Sequence, residues 1–449
     1  MSIRSGKRAV APRSLGGALA LLCLAGCSGS TGLLEPAVSP ASSKAPAAQS
    51  RALPKGYAVL YAFKGSPDGA TPYGGVIAGS SKGTLIGTTY YGGTSAPPTN
   101  GAGTVFALTK SGDGYTESVI HDFGHDGYYP STGPTLDPSG NLYATMQSGP
   151  SGAGSSGGVI CLTPGSDGYD ETGVFQFGGS NGSAPGSQLV EINDGSARGP
   201  APGIIGPNLF YGTLLYTTTS SGGSAGYGSL AALTLALSFT DDYDFQGPSA
   251  DGSAPTGNLE MDMSRNLDGT TSTGGTGPKP GYGTVFQYDP SSGSETVLHE
   301  FAGGTGDGSF PTGGVVLDNE GNIYGTTQTG GAYGKGTIFK LTNTGGKFSE
   351  SILHSFGGKG DGATPFATMV VTVSSEELYG TTNAGGANGL GTIFQIATNG
   401  AKYKTLYSFA KSSGASPGYG SLLLEGNALY GTTMSGGASN VGVVYRFVP

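Results

Sequence analysis

The amino-acid sequence predicts an all-β fold, a seven-bladed β-propeller of four-stranded antiparallel blades, and three observations carry this prediction. Glycine supplies 87 and proline 27 of the 449 residues, a density that breaks helix interiors. A glycine-rich motif recurs along the chain. Each copy lies in a repeat of about 55 residues with four short β-like runs, which is typical of a propeller blade.

The recurring motif reads Gly-Thr-Thr-x-x-Gly-Gly. Its complete copies occupy residues 87–93, 269–275, 325–331, 380–386 and 431–437. Weaker copies fill the long gap between the first two, at residues 144–150 and 217–223. Seven copies in phase predict seven blades.

One repeat shows how a blade divides into strands. We predict strand A at 313–317, strand B at 322–327, strand C at 337–341 and strand D at 351–356, with a turn between A and B. Strand C begins with Gly-Thr-Val/Ile-Phe or a relative of it. Strand D ends in a phenylalanine, which along the chain is Phe63, Phe123, Phe177, Phe245, Phe301, Phe356 and Phe409.

The two ends of the repeat region predict how the ring closes. The region opens with a D-type run at 57–63 and closes with a C-type run at 442–447. Pairing the N-terminal outer strand with the C-terminal blade would complete the seventh blade and remove open sheet edges. An open solenoid of stacked repeats is the alternative, although no capping repeats are visible.

Residues 1–26 have the features of an export signal. A basic segment precedes an apolar run at 15–24, too short to span a bilayer stably, and Leu24-Ala25-Gly26-Cys27 follows. This sequence resembles the lipobox of bacterial lipoproteins. The resemblance implies lipidation of Cys27, and the serine after it favours the outer membrane. An ordinary secretory signal with a chance cysteine is the alternative.

The segment after the signal predicts a tether. Residues 27–56 are rich in Ser, Ala, Gly and Pro without periodicity, which is typical of a flexible linker. It would join the lipidated cysteine to a propeller domain at 57–449. The expected location is the bacterial cell envelope, with a monomer that meets the membrane only through its lipid anchor.

Charge and cysteine content narrow the possible partners and chemistry. Asp and Glu outnumber Lys and Arg by 30 to 21, so no nucleic-acid partner is expected. Cys161 would be the one unmodified cysteine of the mature chain. It stands where other repeats have phenylalanine, which predicts a buried apolar residue and not a nucleophile. No cofactor is expected.

The unit Leu-Tyr-Gly-Thr-Thr-x-x-Gly-Gly, followed by Gly-Thr-Ile-Phe, resembles the GloVer tandem repeat of bacterial "choice-of-anchor" surface proteins. The resemblance covers residues 57–449. It implies a repeat protein at the cell surface and carries over no catalytic or binding residues. A looser likeness to kelch blades lacks the kelch tryptophan, because the chain contains no tryptophan.

Histidine and aspartate recur in two slots around strand D. The slot two residues before the final phenylalanine holds His121, His299, His354, Tyr61, Phe175, Tyr243 and Tyr407. Because this position accepts His, Tyr or Phe, it requires only a flat ring, and we predict no metal site there. His125 is expected in a solvated turn. Asx-turns rather than calcium ligands are predicted at Asp68, Asp126, Asp251, Asp307, Asp361 and Asn181.

The loop pattern indicates which face carries a binding site. In an antiparallel blade the B–C and D–A loops emerge on one face of the ring. Tyrosines in the B–C loops could stack on a sugar or a partner protein, or only cover loop surface. The candidate binding residues are Tyr90, Tyr91, Tyr227, Tyr282 and Tyr333.

Two functions are compatible with this sequence. The first is a lipid-anchored binding or scaffolding module for an envelope or extracellular partner, either a protein or a polysaccharide. The alternative is an exported polysaccharide hydrolase or lyase that uses carboxylates near the central channel, with Glu260 and Asp262 as candidates. An insertion at 186–207 in the third repeat is expected on the opposite face.

Overall fold

The computed structural model describes residues 56–449 except 95–100, 125–126, 150–155, 167, 199–209, 249, 276–280, 358–359 and 373. The export signal, Cys27 and the tether up to residue 55 lie outside the described residues, as do His125 and Asp126. In the described part, every regular element is a β-strand. A search of those same residues for an apolar helix long enough to cross a membrane finds none.

Seven antiparallel sheets, each with strands in the order A-B-C-D, confirm the predicted seven-bladed propeller. In chain order of the blades, the A strands are Val76–Ala78, Thr135–Leu136, Val190–Arg198, Glu260–Met261, Val316–Leu317, Val370–Thr372 and Leu423–Glu425. The B strands are Thr84–Thr89, Leu142–Met146, Phe210–Ser221, Leu267–Thr273, Ile323–Thr327, Glu377–Thr382 and Ala428–Ser435. The C strands are Thr104–Ser111, Gly158–Gly165, Ser229–Thr234, Thr284–Asp289, Thr337–Thr344, Thr392–Ala397 and Val443–Val448. The D strands are Gly114–Asp122, Gly168–Gln176, Phe239–Asp244, Ser294–Glu300, Lys347–Ser355, Lys404–Ser408 and Gly56–Ala62.

Short segments of the D–A loops pair with the strand B side of the blade they lead into. Three of them, Ser183–Pro185, Ser253–Pro255 and Ala415–Pro417, pair with the B strands of blades 3, 4 and 7. Three others, Gly69–Ala70, Gly308–Ser309 and Gly362–Ala363, pair with Tyr91–Gly92, Thr329–Gly330 and Ala384–Gly385.

The predicted ring closure is confirmed. Gly56–Ala62 pairs antiparallel with Val443–Val448, and Ala58 lies opposite Arg446. The backbone N–H of Phe63 extends the pairing by donating to the carbonyl oxygen of Gly442 at 3.1 Å. The N-terminal strand therefore serves as the outer strand of blade 7.

Strand lengths differ from prediction, and in blade 5 strand C continues to Thr344 while strand D already begins at Lys347. In blade 5 strand A is confined to Val316–Leu317, because Gly313 and Gly314 pack against the backbones of neighbouring blades instead of pairing with strand B. In blade 3 the insertion lengthens strands A and B, which pair from Val190 opposite Tyr216 to Arg198 opposite Phe210. The connection between these two strands lies outside the described residues.

Packing and hydrogen bonding explain why each residue of the Gly-Thr-Thr motif recurs. In blade 1, a Cβ on Gly87 would lie 2.6 Å from Cζ of Phe106 on strand C, so only glycine lets this ring lie across strand B. Thr88 Oγ1 donates to the carbonyl oxygen of Thr132 in the next blade at 2.6 Å. Thr89 Oγ1 lies 2.8 Å from Thr104 Oγ1 on strand C. The motif therefore joins strand B to its own blade and to the next one.

The hydrophobic core lies between successive blades. Phe63 at the end of a D strand is 1% exposed, and its ring packs edge-on against Phe106 of the following blade at 5.0 Å. Phe301 packs against Phe339 in the same way at 5.1 Å. The recurring phenylalanine therefore buries apolar area between blades, which stabilises the ring.

Candidate functional site

A cavity of about 250 Å³ lies where the D–A loops of all seven blades converge. Its wall includes Tyr73, Thr132, Asn258, Thr312 and Tyr419, which follow the recurring proline of their loops, together with strand B ends such as Gln147. The cavity therefore lies on the face predicted from the loop pattern.

The D–A loops that build the cavity are held in an uncommon backbone conformation. The residue before the recurring proline has φ between +49° and +65° in every blade, although none is glycine: Thr71, Tyr129, Ala184, Ala254, Phe310, Thr364 and Ser416. The left-handed region is unfavourable for such residues. Their N–H groups donate to the B–C loop of the preceding blade, as from Ala254 to the carbonyl oxygen of Tyr227 at 2.9 Å. These contacts fix the residues that follow the proline.

Aromatic rings form a continuous arc that reaches the cavity wall at Tyr73 and Tyr419. Phe366 stacks on Tyr419 at 4.6 Å, and Tyr419 stacks on Tyr73 at 4.6 Å. The arc continues from Tyr73 to Tyr90 at 5.4 Å and from Tyr90 to Tyr129 at 4.9 Å. We call these five residues, drawn from four blades, the aromatic arc.

Hydroxyl and amide groups form the rest of the wall. The hydroxyl oxygens of Ser131, Thr256 and Thr312 are buried and have no hydrogen-bond partner within the described part of the chain. Asn258 donates through Nδ2 to Ser421 Oγ at 3.0 Å. Among the described residues that line the cavity, none is Asp, Glu, Lys, Arg or His. The cavity therefore combines apolar ring faces with uncharged hydrogen-bonding groups.

The five predicted tyrosines do not come together in one cluster. Tyr90 belongs to the aromatic arc, and Tyr91 packs edge-on against it at 4.8 Å. Tyr227 and Tyr333 are 40% and 61% exposed in the B–C loops of blades 3 and 5. Tyr282 is half-buried beside Phe310 at 6.4 Å. Their part in binding remains a prediction.

The sequence analysis missed four residues of the aromatic arc, which are Tyr73, Tyr129, Phe366 and Tyr419. Tyr73 and Phe366 directly follow the recurring proline, and Tyr419 follows it after one glycine. Other repeats have serine, threonine or glycine directly after this proline. Comparing the seven repeats at the two residues after the proline would have found three of these rings.

The two carboxylates nominated for the alternative enzymatic function do not line the cavity in the described structure. Asp262 lies in the A–B turn of blade 4, where its carboxylate accepts from the backbone N–H of Ser264 at 2.7 Å and of Asn266 at 2.8 Å. Glu260 on strand A is paired with Asp268 on strand B. Burial raises the pKa of Glu260 to about 7 and that of Asp268 also to about 7. They form a local acidic group inside blade 4.

The predicted ring slot on strand D is confirmed as a packing position. His121, His299 and His354 each pack edge-on against the phenylalanine two residues later, at 4.8, 4.8 and 5.0 Å. The Asp-Gly turns are not the predicted Asx-turns. Asp307 accepts from the backbone N–H groups of Ala302, before it, and of Gly308, directly after it, at 2.6 and 2.5 Å, so its carboxylate bridges the two sides of the D–A loop. Cys161 is 6% exposed in an apolar cluster.

Solved structures that resemble this chain come from several bacteria. A protein of unknown function from Dyadobacter fermentans is 12% identical with a TM-score of 0.42, covering 88% of this chain and 99% of its own. The extracellular domain of a hybrid two-component system from B. thetaiotaomicron is 11% identical with a TM-score of 0.48, covering 88% of this chain and 42% of its own. A gluconolactonase from Xanthomonas campestris is 10% identical with a TM-score of 0.41, covering 88% of this chain and 89% of its own.

Sequence comparison supplies the family. No curated protein matches the chain. The Gloeobacter/Verrucomicrobia repeat matches residues 198–375 and 348–449, which together exceed half of the chain. This match confirms the resemblance drawn from the Gly-Thr-Thr motif. The chain therefore belongs to the Gloeobacter/Verrucomicrobia repeat family.

Proposed function

We propose that this protein is an exported, lipid-anchored binding module whose central cavity takes a neutral sugar unit of an envelope or extracellular polysaccharide. The observation that carries the proposal is the set of buried, unpartnered hydroxyls of Ser131, Thr256 and Thr312 beside an aromatic arc. A buried hydroxyl without a partner is costly. A ligand rich in hydroxyl groups would supply the missing hydrogen bonds.

The composition of the wall favours a sugar over other small ligands. A sugar ring has apolar C–H faces that stack on tyrosine and a rim of hydroxyls that pair with Thr, Asn and Gln side chains. Tyr73 and Tyr419 supply the stacking surface, and Asn258 and Gln147 supply amides. The lack of charge among the described wall residues disfavours phosphate and acidic sugars.

The size of the cavity favours one sugar unit at a time. Its volume of about 250 Å³ lies below the range of about 300–1,000 Å³ typical of drug-sized ligands. A chain end or a single unit of a longer polymer fits this volume. The rest of the polymer would extend over the B–C loops, where Tyr227 and Tyr333 are exposed.

The residues of the cavity wall also favour binding over hydrolysis. Most glycoside hydrolases use two carboxylates that flank the scissile bond, and the described wall residues include no carboxylate. Export and lipidation at Cys27 would place the module in the bacterial envelope, at the outer membrane, with a flexible tether to reach its ligand.

An array of neutral and acidic oligosaccharides, probed with the chain from residue 28 onward, tests the proposal. We expect a neutral oligosaccharide to bind. Tyr73→Ala and Tyr419→Ala should each weaken its affinity by about fivefold, since one stacked ring contributes about 1 kcal/mol. Met263→Ala, in the exposed A–B turn of blade 4 on the opposite face of the ring, is the control and should bind normally. Binding only to acidic sugars, or equal losses in all three variants, would contradict the proposal.

A further inference from the structure

The outer rim of the propeller repeats one contact between neighbouring blades. The ring in the slot on strand D meets the Asp-Gly turn and a residue on strand D of the next blade. Between blades 5 and 6, His354 Nε2 lies 2.9 Å from Asp361 Oδ2, and Tyr403 stacks on His354 at 3.7 Å. The hydroxyl of Tyr403 also donates to Asp361. This contact is closed by hydrogen bonds and stacking.

Some blade pairs place glutamate where Tyr403 stands. Between blades 3 and 4, Glu295 takes this position and the hydroxyl of Tyr243 donates to Asp251. Burial, and then the Asp251 carboxylate, raise the pKa of Glu295 to about 8. The polar side-chain atoms of this contact are all oxygens, and the Tyr243 hydroxyl is hydrogen-bonded to one oxygen of the Asp251 carboxylate.

Between blades 4 and 5 the same position is glutamate and the ring is histidine. One nitrogen and two carboxylate atoms of His299, Asp307 and Glu350 lie within 4.8 Å of one another. His299 Nε2 lies 3.7 Å from Asp307 Oδ2, beyond hydrogen-bond distance. Neither His299 Nε2 nor Glu350 Oε1 has a hydrogen-bond partner within the described residues. The contact between blades 5 and 6 is hydrogen-bonded, whereas this contact keeps polar atoms that have no hydrogen-bond partner in the described structure.

We propose that His299, Asp307 and Glu350 bind a divalent transition-metal ion, with zinc as the best fit, between blades 4 and 5. One imidazole and two carboxylates are ligand types that zinc accepts. Bond lengths of about 2.0–2.2 Å let two ligand atoms 3.7 Å apart share one ion. The His299 and Asp307 side chains are 20% and 14% exposed, so an ion and a fourth, solvent ligand can reach the site.

Electrostatics agrees with this geometry. The carboxylates of Asp307 and Glu350 lie close together in this contact, and like charges at such a distance repel each other. An ion between the two carboxylates would remove this repulsion and let both remain ionised. Because the ligands come from two blades, the bound ion would also join them.

Titration of the chelator-treated protein with zinc chloride, followed by calorimetry and metal analysis, tests the site. We expect one equivalent to bind and the melting temperature to rise, since a ligand that binds the folded state stabilises it. His299→Ala and Glu350→Gln should each lower zinc affinity strongly. The loss should exceed the fall of about 10–100-fold that follows when a residue that only orients a metal ligand is removed. Glu350→Gln keeps the size of the side chain, so it separates ligand loss from misfolding.

His354→Ala and Glu295→Gln are the matched controls, because they change the equivalent slots of neighbouring contacts. The zinc affinity of both variants should stay within about threefold of that of the unchanged protein, because neither residue is a ligand and distant changes have only small effects. Absence of saturable binding, or binding that survives Glu350→Gln unchanged, would overturn the proposal. Loss of binding in His354→Ala would place the ion elsewhere and overturn it as well.

Discussion

Tyr57 stacks face to face on Tyr407, with ring centroids 4.1 Å apart and parallel planes. Tyr57 belongs to the N-terminal strand that completes blade 7, and Tyr407 lies on strand D of blade 6. Tyr57 also stacks against Tyr445 at 5.3 Å, and its hydroxyl donates to the carbonyl oxygen of Ser413. Side chains as well as backbone pairing therefore hold the ring closed.

Tyr57→Ala should lower the free energy of unfolding by about 3 kcal/mol, the low end for removal of an aromatic ring from a core. Tyr57→Phe, which removes only the hydroxyl, should cost about 1 kcal/mol. Urea denaturation measures both, with Tyr333→Ala as the exposed control. Equal stability of Tyr57→Ala and Tyr333→Ala would mean that the closure does not depend on this stack.

Gly87→Ala tests why glycine begins the recurring motif. Its Cβ would lie 2.6 Å from the Phe106 ring and 3.1 Å from Val76 Cγ1, so the ring must shift and the variant should lose about 1–3 kcal/mol. Gly306→Ala is the control, because nothing lies within 4 Å of its added Cβ and its φ is not left-handed. Combining Gly87→Ala with Phe106→Leu should recover part of the loss. Additive losses in the double variant would rule out a clash with this ring.

The parts of the molecule that the sequence predicted are those that repeat. The ring slot, the phenylalanine at the end of strand D and the closing strand each recur or follow from the phase of the repeats, so comparison along one chain reveals them. The aromatic arc depends instead on differences between repeats, since Tyr73, Phe366 and Tyr419 replace smaller residues in other blades. Only the closed ring brings these single-blade differences together around one cavity.

The proposed metal site was not expected from the sequence for a related reason. His299 shares its slot with six other rings, which favoured a packing role, and that role is correct. What distinguishes it is Glu350, which lies on the next D strand and contacts it only across the blade interface. Neither residue is unusual within its own repeat.

Asp318→Ala and Asp262→Ala should destabilise blades 5 and 4 to different degrees. Both aspartates accept from two backbone N–H groups and an asparagine amide in the A–B turn. Asp318 also accepts from the hydroxyl of Tyr324 at 2.7 Å, whereas Asp268 replaces this tyrosine in blade 4. We expect losses of about 1–3 kcal/mol, larger for Asp318→Ala.

Thermal unfolding of the two aspartate variants measures this order, with the exposed Asp113→Ala as control. Asp262→Ala should also leave sugar binding unchanged, because Asp262 belongs to the turn and not to the cavity wall. Loss of sugar binding in a folded Asp262→Ala variant would return this carboxylate to the functional site.

Stability should decrease as the pH rises from about 4.5 to about 8. Burial raises the pKa of Glu295 to about 8 and those of Glu117 and Asp268 to about 7. The folded protein therefore keeps protons that the unfolded chain has already lost in this range, so unfolding becomes easier with rising pH. Asp307 and Asp361 act in the opposite direction. Although burial opposes the shift, the nearby His299 and backbone N–H donors lower the pKa of Asp307, and hydrogen bonds from His354 and Tyr403 lower the pKa of Asp361. The contribution of both groups is lost as the pH falls below the ordinary value of 3.8. Stability should thus be highest between these two ranges.

Glu295→Gln tests this pH dependence at one side chain. The amide keeps the size of the protonated carboxyl and cannot ionise, so the decrease in the free energy of unfolding between pH 5 and pH 8 should become smaller. Glu171→Gln is the matched control, because Glu171 occupies the equivalent position on strand D of blade 2 and is exposed. Urea denaturation in the presence of a chelator measures the slope without a contribution from bound metal. An unchanged slope in Glu295→Gln would mean that Glu295 is ionised in the folded protein, held by a contact other than the Asp251 turn.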